Sequence, residues 1–294
     1  MRPIMSWTGG KSWLWKHVKD YFINDTHDTY IEPFLGGGSM AFNLMKYCHE
    51  NNINKKFILS DANHELINFY KALQNYPEEL MKALDDLWNG PLSFIEIRQE
   101  YNRVLGRLPA FVHVERAAMF LYIVKCGFRG MWIINKEGVL TTPRGNGVKK
   151  LYNRNQILEL SMLLKKFAEL RCCDFSEYNE SACYYLDPPY VGTFDKYCLH
   201  ETVTTERLNE FISKLRDSTV YVSNNERYEP PEGAVNVLSL TVDEKAARNR
   251  GKTREERLYY CPRKRVSSDD SHPACCCEGS INPGVTTDCG NAPI

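Results

Sequence analysis

An α/β fold built on a mainly parallel sheet is predicted by three features of the sequence. Strand-like and helical stretches alternate over most of the chain, an apolar run breaks off at two adjacent prolines, and three glycines separate one strand from the helix that follows it. Strands are expected at 29–32, 56–60, 170–172, 182–186, 220–223, 235–242 and 257–261, where β-branched, aromatic and other apolar residues cluster over the length of a buried strand. Helices are expected at 39–50, 65–74, 156–169 and 205–215, where apolar residues recur at helical spacing, the last opening on Thr204 or Thr205 as N-cap.

Residues 76–155 interrupt this rhythm. They suit helices at 77–88, 93–105 and 114–124, then a Gly-punctuated stretch at 131–147 that fits a hairpin with its turn at 135–138. We therefore expect an α/β domain made of 1–75 and 156–265, with a mostly helical insertion at 76–155. From 266 to 294, Ser, Asp, Cys, Gly and Pro follow one another without periodicity, and a disordered tail is expected.

Composition narrows the class. With 294 residues, 43% hydrophobic and 25% charged, the chain is long enough for one large core and ordinary for a globular protein. No apolar stretch approaches the ~20 residues that span a bilayer. The N-terminus lacks the apolar centre of a signal peptide, so a cytoplasmic location is expected. Among the eleven cysteines, Cys48, Cys126, Cys183 and Cys198 sit in apolar segments. Neither the pair Cys172 and Cys173 nor the run Cys275, Cys276 and Cys277 has the spacing of a tetrahedral zinc site. Reduced thiols and no metal are expected. Thirty-seven cations balance thirty-seven acids, but unevenly along the chain. Lys245, Arg248, Arg250, Lys252, Arg254, Arg257, Arg263, Lys264 and Arg265 face only Glu255 and Glu256, and Arg144, Lys149, Lys150 and Arg154 form a second cluster. Each cluster fits solvated surface as well as it fits a phosphate-binding patch.

Four motifs carry chemistry. Asp187, Pro188, Pro189 and Tyr190 follow the run 182–186 directly, so a carboxylate, a stiff carbonyl-bearing turn and an aromatic face converge at the end of a buried strand. In an open α/β sheet ligands bind at that edge, and these groups describe a pocket for a planar amine. The segment EPFLGGGS, with Glu32, Phe34 and Gly36, joins a strand to a helix, where glycines let backbone approach a ligand and helix amides are unsatisfied. A tight turn without a ligand explains such a run as often, but Asp61 ends the next strand, where an acid meets ribose hydroxyls in nucleoside-binding units. The glycine spacing of a dinucleotide fingerprint is absent, which favours S-adenosylmethionine over NAD. Trp7 and Lys11 could flank a small zwitterion. Asp174 could accept from an amino group while Phe175 stacks on a base. Alone, these two motifs also fit an N-terminal turn and a loop acid beside a core aromatic.

Taken in order, WTGGK, EPFLGGGS, the acid of LSDANHELINFY, GFRGMWIINKEGVLTTPRG, the DF pair and DPPY resemble the Dam-like DNA adenine methyltransferases over roughly residues 5–262. The resemblance implies a Rossmann-like sheet of seven strands, one antiparallel, binding S-adenosylmethionine and methylating the exocyclic amine of a flipped-out adenine in a short double-stranded DNA sequence. It places Trp7, Lys11, Glu32, Phe34, Gly36, Asp61, Asp174, Phe175 and Asp187 on the cofactor side. Asp187, Pro188, Pro189 and Tyr190 fall on the target base, Asp187 and the Pro188 carbonyl accepting the two amine hydrogens and Tyr190 stacking. It makes the insertion a target-recognition domain in which Arg129, Asn135, Lys136, Arg144 and Asn146 are candidates for DNA contact, and it gives Arg248, Arg250, Lys252 and Arg254, in a basic loop before the last strand, to phosphates. Lys125 and Cys126 stand where the family has Asn before GF, and TTPRG where it more often has an Asn-Val-Pro run, so the family's commonest target, GATC, does not carry over residue by residue. A monomer is favoured.

Rival readings are weaker. A protein or RNA amino-methyltransferase, or an N-4 cytosine enzyme, would keep the cofactor, but release-factor glutamine enzymes carry Asn in place of Asp187 and cytosine enzymes more often Ser. A DNA-binding relative without catalysis has no need of Asp187, Tyr190 and the glycine loop together, and a nicotinamide oxidoreductase needs a phosphate-binding glycine pattern that EPFLGGGS lacks.

Overall fold

The computed structural model describes residues 1–7, 9–103, 112–146, 148–190, 203–243 and 253–262, with only the backbone of 242, 243, 253 and 254. Met1–Arg263 form one compact unit. Thr8, Cys198, Arg248, Arg250, Lys252, the cysteine run at 275–277 and the whole tail 266–294 lie outside the described residues.

Among the described residues seven strands make one mixed sheet: β1 (Thr29–Glu32), β2 (Lys56–Ser60), β3 (Ala168–Arg171), β4 (Cys183–Leu186), β5 (Thr219–Asn225), β6 (Val235–Asp243) and β7 (Thr253–Cys261). Their order is β3-β2-β1-β4-β5-β7-β6. The pairs β1 with β2, β2 with β3, β1 with β4 and β4 with β5 are parallel, while β7 runs antiparallel to both its neighbours. The expected sheet with one antiparallel strand is therefore present. Because the chain moves outward from β1 to β3 and then returns to lay β4 on the other side of β1, the topological switch point lies between β1 and β4. The glycine loop leaves β1 there, and the Asp-Pro-Pro-Tyr turn leaves β4 beside it.

Eight helices are described: α1 (Trp15–Ile23), α2 (Ser39–Glu50), α3 (His64–Asn75), α4 (Pro77–Asn89), α5 (Phe94–Arg103), α6 (Val114–Cys126), α7 (Arg154–Phe167) and α8 (Thr205–Lys214). None is long and apolar enough to cross a membrane. Side chains alternate between two cores, as the two-residue period of a strand dictates. Tyr30, Phe57, Leu59, Cys183, Tyr185, Tyr221 and Leu258 join the core shared with α1 to α7, whereas Ile31, Ile58, Tyr184, Leu186, Val220, Val222 and Tyr259 join the one under α8. Strands buried on both faces explain the continuous apolar runs in the sequence.

Local signals set the helix ends. Asn63 accepts from the amides of Glu65 and Leu66 to cap α3, Thr204 caps α8, and Pro77 opens α4 where its missing N–H costs nothing. Several expected boundaries move. The helix assigned to 156–169 ends at Phe167, and β3 begins without a loop at Ala168 and ends at Arg171 rather than at Cys172. The strand assigned to 257–261 begins at Thr253, so the backbone of Arg254 lies in β7 and not in a loop. Helix α1 was not anticipated at all.

Among the described residues, the stretch 76–155 shares its core with the sheet. Leu80, Leu84, Phe94, Ile97, Ala117 and Phe120 are buried in the same cluster as Phe42, Phe57 and Tyr70 of the sheet domain. Its hairpin forms at the expected turn: Asn135 and Val139 pair through the backbone, Asn135 Oδ1 accepts from Glu137 and Val139, and Gly138 takes φ 78°. The bridge between Gly127 and Arg144 holds the base of this hairpin against the end of α6.

Candidate active site at the switch point

The site starts from β4. Its residues are fully buried, and the strand stops where Pro188 and Pro189 have no N–H to give to a ladder. Asp187 is thus delivered to the sheet edge, 18% exposed. Lys11 reaches it from the N-terminal segment. Its ammonium lies 3.4 Å from Asp187 Oδ1 and 3.8 Å from Glu256 Oε2, donates to the Gly9 carbonyl at 2.8 Å, and sits 4.5 Å from the centre of the Tyr190 ring. An ammonium only 4% exposed is tolerable because two carboxylates and a carbonyl replace its water.

The glycine loop forms the adjoining wall. Gly36 and Gly38 have φ 46° and 64°, and a Cβ on Gly38 would fall 2.3 Å from the Phe42 ring. Only glycine fits there. A Cβ on Gly36 would meet the Trp7 indole at 3.0 Å, so Trp7 lies on the loop and fixes the N-terminal segment over it. Asp61, at the end of β2, accepts from the Gly36 amide at 3.0 Å with Oδ2 and from the Asn63 amide at 2.9 Å with Oδ1. These bonds bind the acidic turn to the glycine loop.

Glu32 is buried beside them. Its Oε2 accepts from the Tyr30 hydroxyl at 2.7 Å and the Ala41 amide at 3.0 Å. Burial pushes its carboxyl up to about 8, with the negative charge of Asp187 adding to the rise against the two hydrogen bonds. The unfolded chain releases this proton near 4.5 and the folded chain keeps it to about 8, so stability falls as pH rises through that interval. Glu32→Gln, which keeps the shape and both acceptor bonds, is expected to flatten the dependence of Tm on pH between 5 and 8 and to raise Tm at pH 8, by roughly 2–4 °C per kcal/mol recovered. Melts of both proteins across that range check it, and parallel curves would contradict it.

The other candidates are placed as follows. Asp174 caps a short 3-10 turn at Phe175–Glu177, its Oδ1 accepting from the Ser176 amide and, at 2.8 Å, from Arg207 of α8. Burial would raise its carboxyl, but the Ser176 hydrogen bonds and the Arg207 charge hold it below the usual range. Phe175 is 3% exposed, with Phe34 5.1 Å away on one side, Phe211 edge-on and the Arg207 guanidinium 4.8 Å from its centre. Tyr190 is 7% exposed. Pro188 is buried and Pro189 exposed. Trp7, Lys11, Glu32, Gly36, Asp61, Asp187 and Tyr190 therefore gather around the ends of β1, β2 and β4, while Phe175 belongs to the core under α8.

Four of the DNA candidates, Arg129, Asn135, Lys136 and Arg144, lie within 76–155. Asn135 and Lys136 are exposed at the hairpin tip. Exposed Arg129 takes φ 57° in the turn after α6, its guanidinium 5.2 Å from the centre of the exposed Phe128 ring, and Arg144 lies across the bridge at the hairpin base. This turn touches the site, since a Cβ on Gly130 would fall 2.6 Å from the Ser6 carbonyl, next to Trp7. Arg154, by contrast, is engaged by Glu78 through two hydrogen bonds. Glu256 and Arg207 were not singled out from sequence. For Glu256 a signal existed: in period two it shares the face of Leu258, which points into the core that also packs the N-terminal segment.

A mixed sheet thus brings an acid, a buried ammonium and a glycine loop together at its switch point. The chain belongs to the D12 class N6 adenine-specific DNA methyltransferases, whose family model matches residues 7–245. It is 31% identical over 234 residues to the type II methyltransferase M.CviBI of Paramecium bursaria Chlorella virus NC1A, covering 76% of this chain and 82% of that one. It is 28% identical over 238 residues to the type II methyltransferase M1.LlaDCHI of Lactococcus lactis subsp. cremoris, covering 76% and 80%. With a DNA adenine methylase of Vibrio cholerae it shares 26% over 244 residues, covering 76% and 82%.

Proposed function

We propose that the protein transfers a methyl group from S-adenosylmethionine to the exocyclic amine of an adenine flipped out of a short duplex sequence. The placement of Asp187 at the switch point, beside buried Lys11 and next to the glycine loop, is the observation that carries this reading. The amine is a poor nucleophile because its lone pair is delocalised into the ring. Asp187 accepts one of its hydrogens and the Pro188 carbonyl the other, which favours a pyramidal nitrogen with its lone pair directed for in-line attack. When bound, the cofactor supplies an electrophilic methyl on a sulfonium. Asp187 would then take up the proton that the amine gives up on methylation. Tyr190 stacks on the base after DNA binding uncovers its ring, and the flip costs a few kcal/mol that stacking and pocket hydrogen bonds offset.

The residues present suit the cofactor. Asp61 is held by the amides of Gly36 and Asn63 beside the glycine loop, where a carboxylate is placed to accept from ribose hydroxyls. Glu32, Phe34, Asp174, Trp7 and Lys11 complete the cofactor side, Phe175 supporting Phe34 from the core. Asp61→Ala is expected to weaken cofactor binding about tenfold or more, on the scale of lost hydrogen bonds to a charged group. Calorimetric titration of the cofactor measures it, and an unchanged affinity removes the ribose role.

The insertion, through Arg129, Asn135, Lys136 and Arg144, and the basic segment with Arg248, Arg250, Lys252 and Arg254, serve as the DNA-holding parts, with GATC the first duplex to try. Mapping methylated bases in DNA from cells expressing the full chain tests the whole reading. Methyl groups on adenine at one short sequence are expected, and methyl groups confined to cytosine, or none, would overturn it.

A further inference from the structure

We propose that Glu256 is a positioning residue for methyl transfer, holding Lys11 away from the oxygen of Asp187 that receives the amine. This rests on the reading of Asp187 given above. Glu256 lies in β7 opposite Asn225 of β5 and Leu240 of β6, so it enters the site from the antiparallel half of the sheet, two strands away from β4. It is 6% exposed, on the same side of β7 as Leu258. The ammonium of Lys11 lies between it and Asp187, at 3.8 and 3.4 Å. Both separations exceed the about 2.7–2.9 Å of a close charge-assisted hydrogen bond. One cation is thus shared by two carboxylates.

The consequence falls on Asp187. Its Oδ1 must exchange a neighbour for an adenine N–H, and a loosely held ammonium competes weakly for it. Without the charge of Glu256, Lys11 has Asp187 as its nearest anion and closes on it. The carboxylate becomes a poorer acceptor for the amine and harder to protonate. Among the described residues, the groups about Asp187 include Lys11 from the N-terminal segment, Glu32 from β1, Tyr185 from β4, Tyr190 from its own turn and Glu256 from β7. The Tyr185 hydroxyl, bonded to Ser223 at 2.8 Å, lies within the field of Asp187, Glu32 and Glu256 together.

The experiment measures single-turnover methyl transfer by the full chain to an adenine duplex, from pH 5 to 9, for the wild type, Glu256→Gln, Glu256→Asp and Lys11→Met with and without Glu256→Gln. Glu256→Gln is expected to lower the rate constant about 10- to 100-fold with little change in cofactor affinity, on the scale of positioning effects. It should also move the acid limb of the profile to lower pH. Glu256→Asp, which keeps the charge, should recover most of the rate, and in Lys11→Met the further change to Gln should have little effect. A purely structural role would lower stability without moving the acid limb. If Glu256→Gln does not fold, Glu256→Asp decides: its shorter side chain draws the charge back from Lys11, so a positioning role leaves the rate a few-fold below wild type with the limb moved slightly to lower pH, and a purely structural role leaves both at wild type. An active wild type with an unchanged rate and limb in the variants overturns the role of Glu256, whereas a wild type inactive on every adenine duplex overturns the reading of Asp187.

Discussion

Replacing Asp187 by Ala is expected to slow methyl transfer to adenine by about a hundred- to a thousandfold or more, the range seen when one aimed polar group is removed from a reacting centre. Cofactor affinity and fold should survive. The buried ammonium of Lys11, the group most at risk when its partner is lost, still has Glu256 at 3.8 Å and the Gly9 carbonyl at 2.8 Å. The glycine loop is tied to Asp61 and Trp7, neither of which depends on Asp187. Asp187→Asn should be nearly as slow, because an amide places either a weaker acceptor or an N–H donor where the amine hydrogen must go. Single-turnover rates at saturating cofactor, beside calorimetric binding of the cofactor alone, make the test. A rate within tenfold of wild type would remove the carboxylate from the mechanism.

Those parts of the fold that rest on burial of both strand faces were legible in the sequence. Strands β1 and β2 and helix α2 lie where expected because uninterrupted apolar runs and a glycine turn leave few alternatives. Helix α1 was missed because its buried contacts reduce to a narrow stripe, Leu14, Val18 and Phe22, with no side-chain cap at its start. The start of β7 was missed because TREER carries charge in every position but one, and a strand paired on both edges holds those residues by backbone bonds whatever their polarity. The acid of the site that lies in this stretch, Glu256, was counted as part of a basic loop for the same reason. Phe175 illustrates the reverse. Its neighbours Phe34 and Phe211 come from other elements, so nothing in the sequence indicated how fully its ring is enclosed. Asp174 likewise acquires its charge partner from α8, more than thirty residues onward, and no local pattern announces Arg207.

Arg116→Met is expected to destabilise the protein by about 3–5 kcal/mol, the penalty for stranding one member of a buried ion pair. Arg116 of α6 and Glu65 of α3 are 4% and 5% exposed, and Arg116 Nε lies 2.8 and 2.9 Å from the two Glu65 oxygens. A second nitrogen of the guanidinium donates to Glu65, a third to the Tyr101 carbonyl at 3.0 Å, and its plane lies 3.9 Å from the centre of the Tyr101 ring. Burial alone would raise the Glu65 carboxyl, but hydrogen bonds from His64 and Arg116 outweigh it and hold the group below its usual range. The pair therefore joins α3 to α5 and α6 at a buried point. Loss of Arg116 leaves a buried carboxylate with His64 at 3.3 Å and the Tyr101 hydroxyl but no buried cation, and protonating it is the cheapest escape, so the variant should lose stability more steeply at pH 8 than at pH 5. Replacing both residues by apolar side chains, Glu65→Leu with Arg116→Met, should recover much of the loss, because the desolvation of both charges is removed with their attraction. Since α6 leads straight to the turn at Phe128–Gly130 that rests on Ser6, the single variant should also weaken DNA methylation more than cofactor binding. Urea titrations of the four members of this cycle measure the coupling, and additive effects of the two substitutions would show that the pair does not act as a unit.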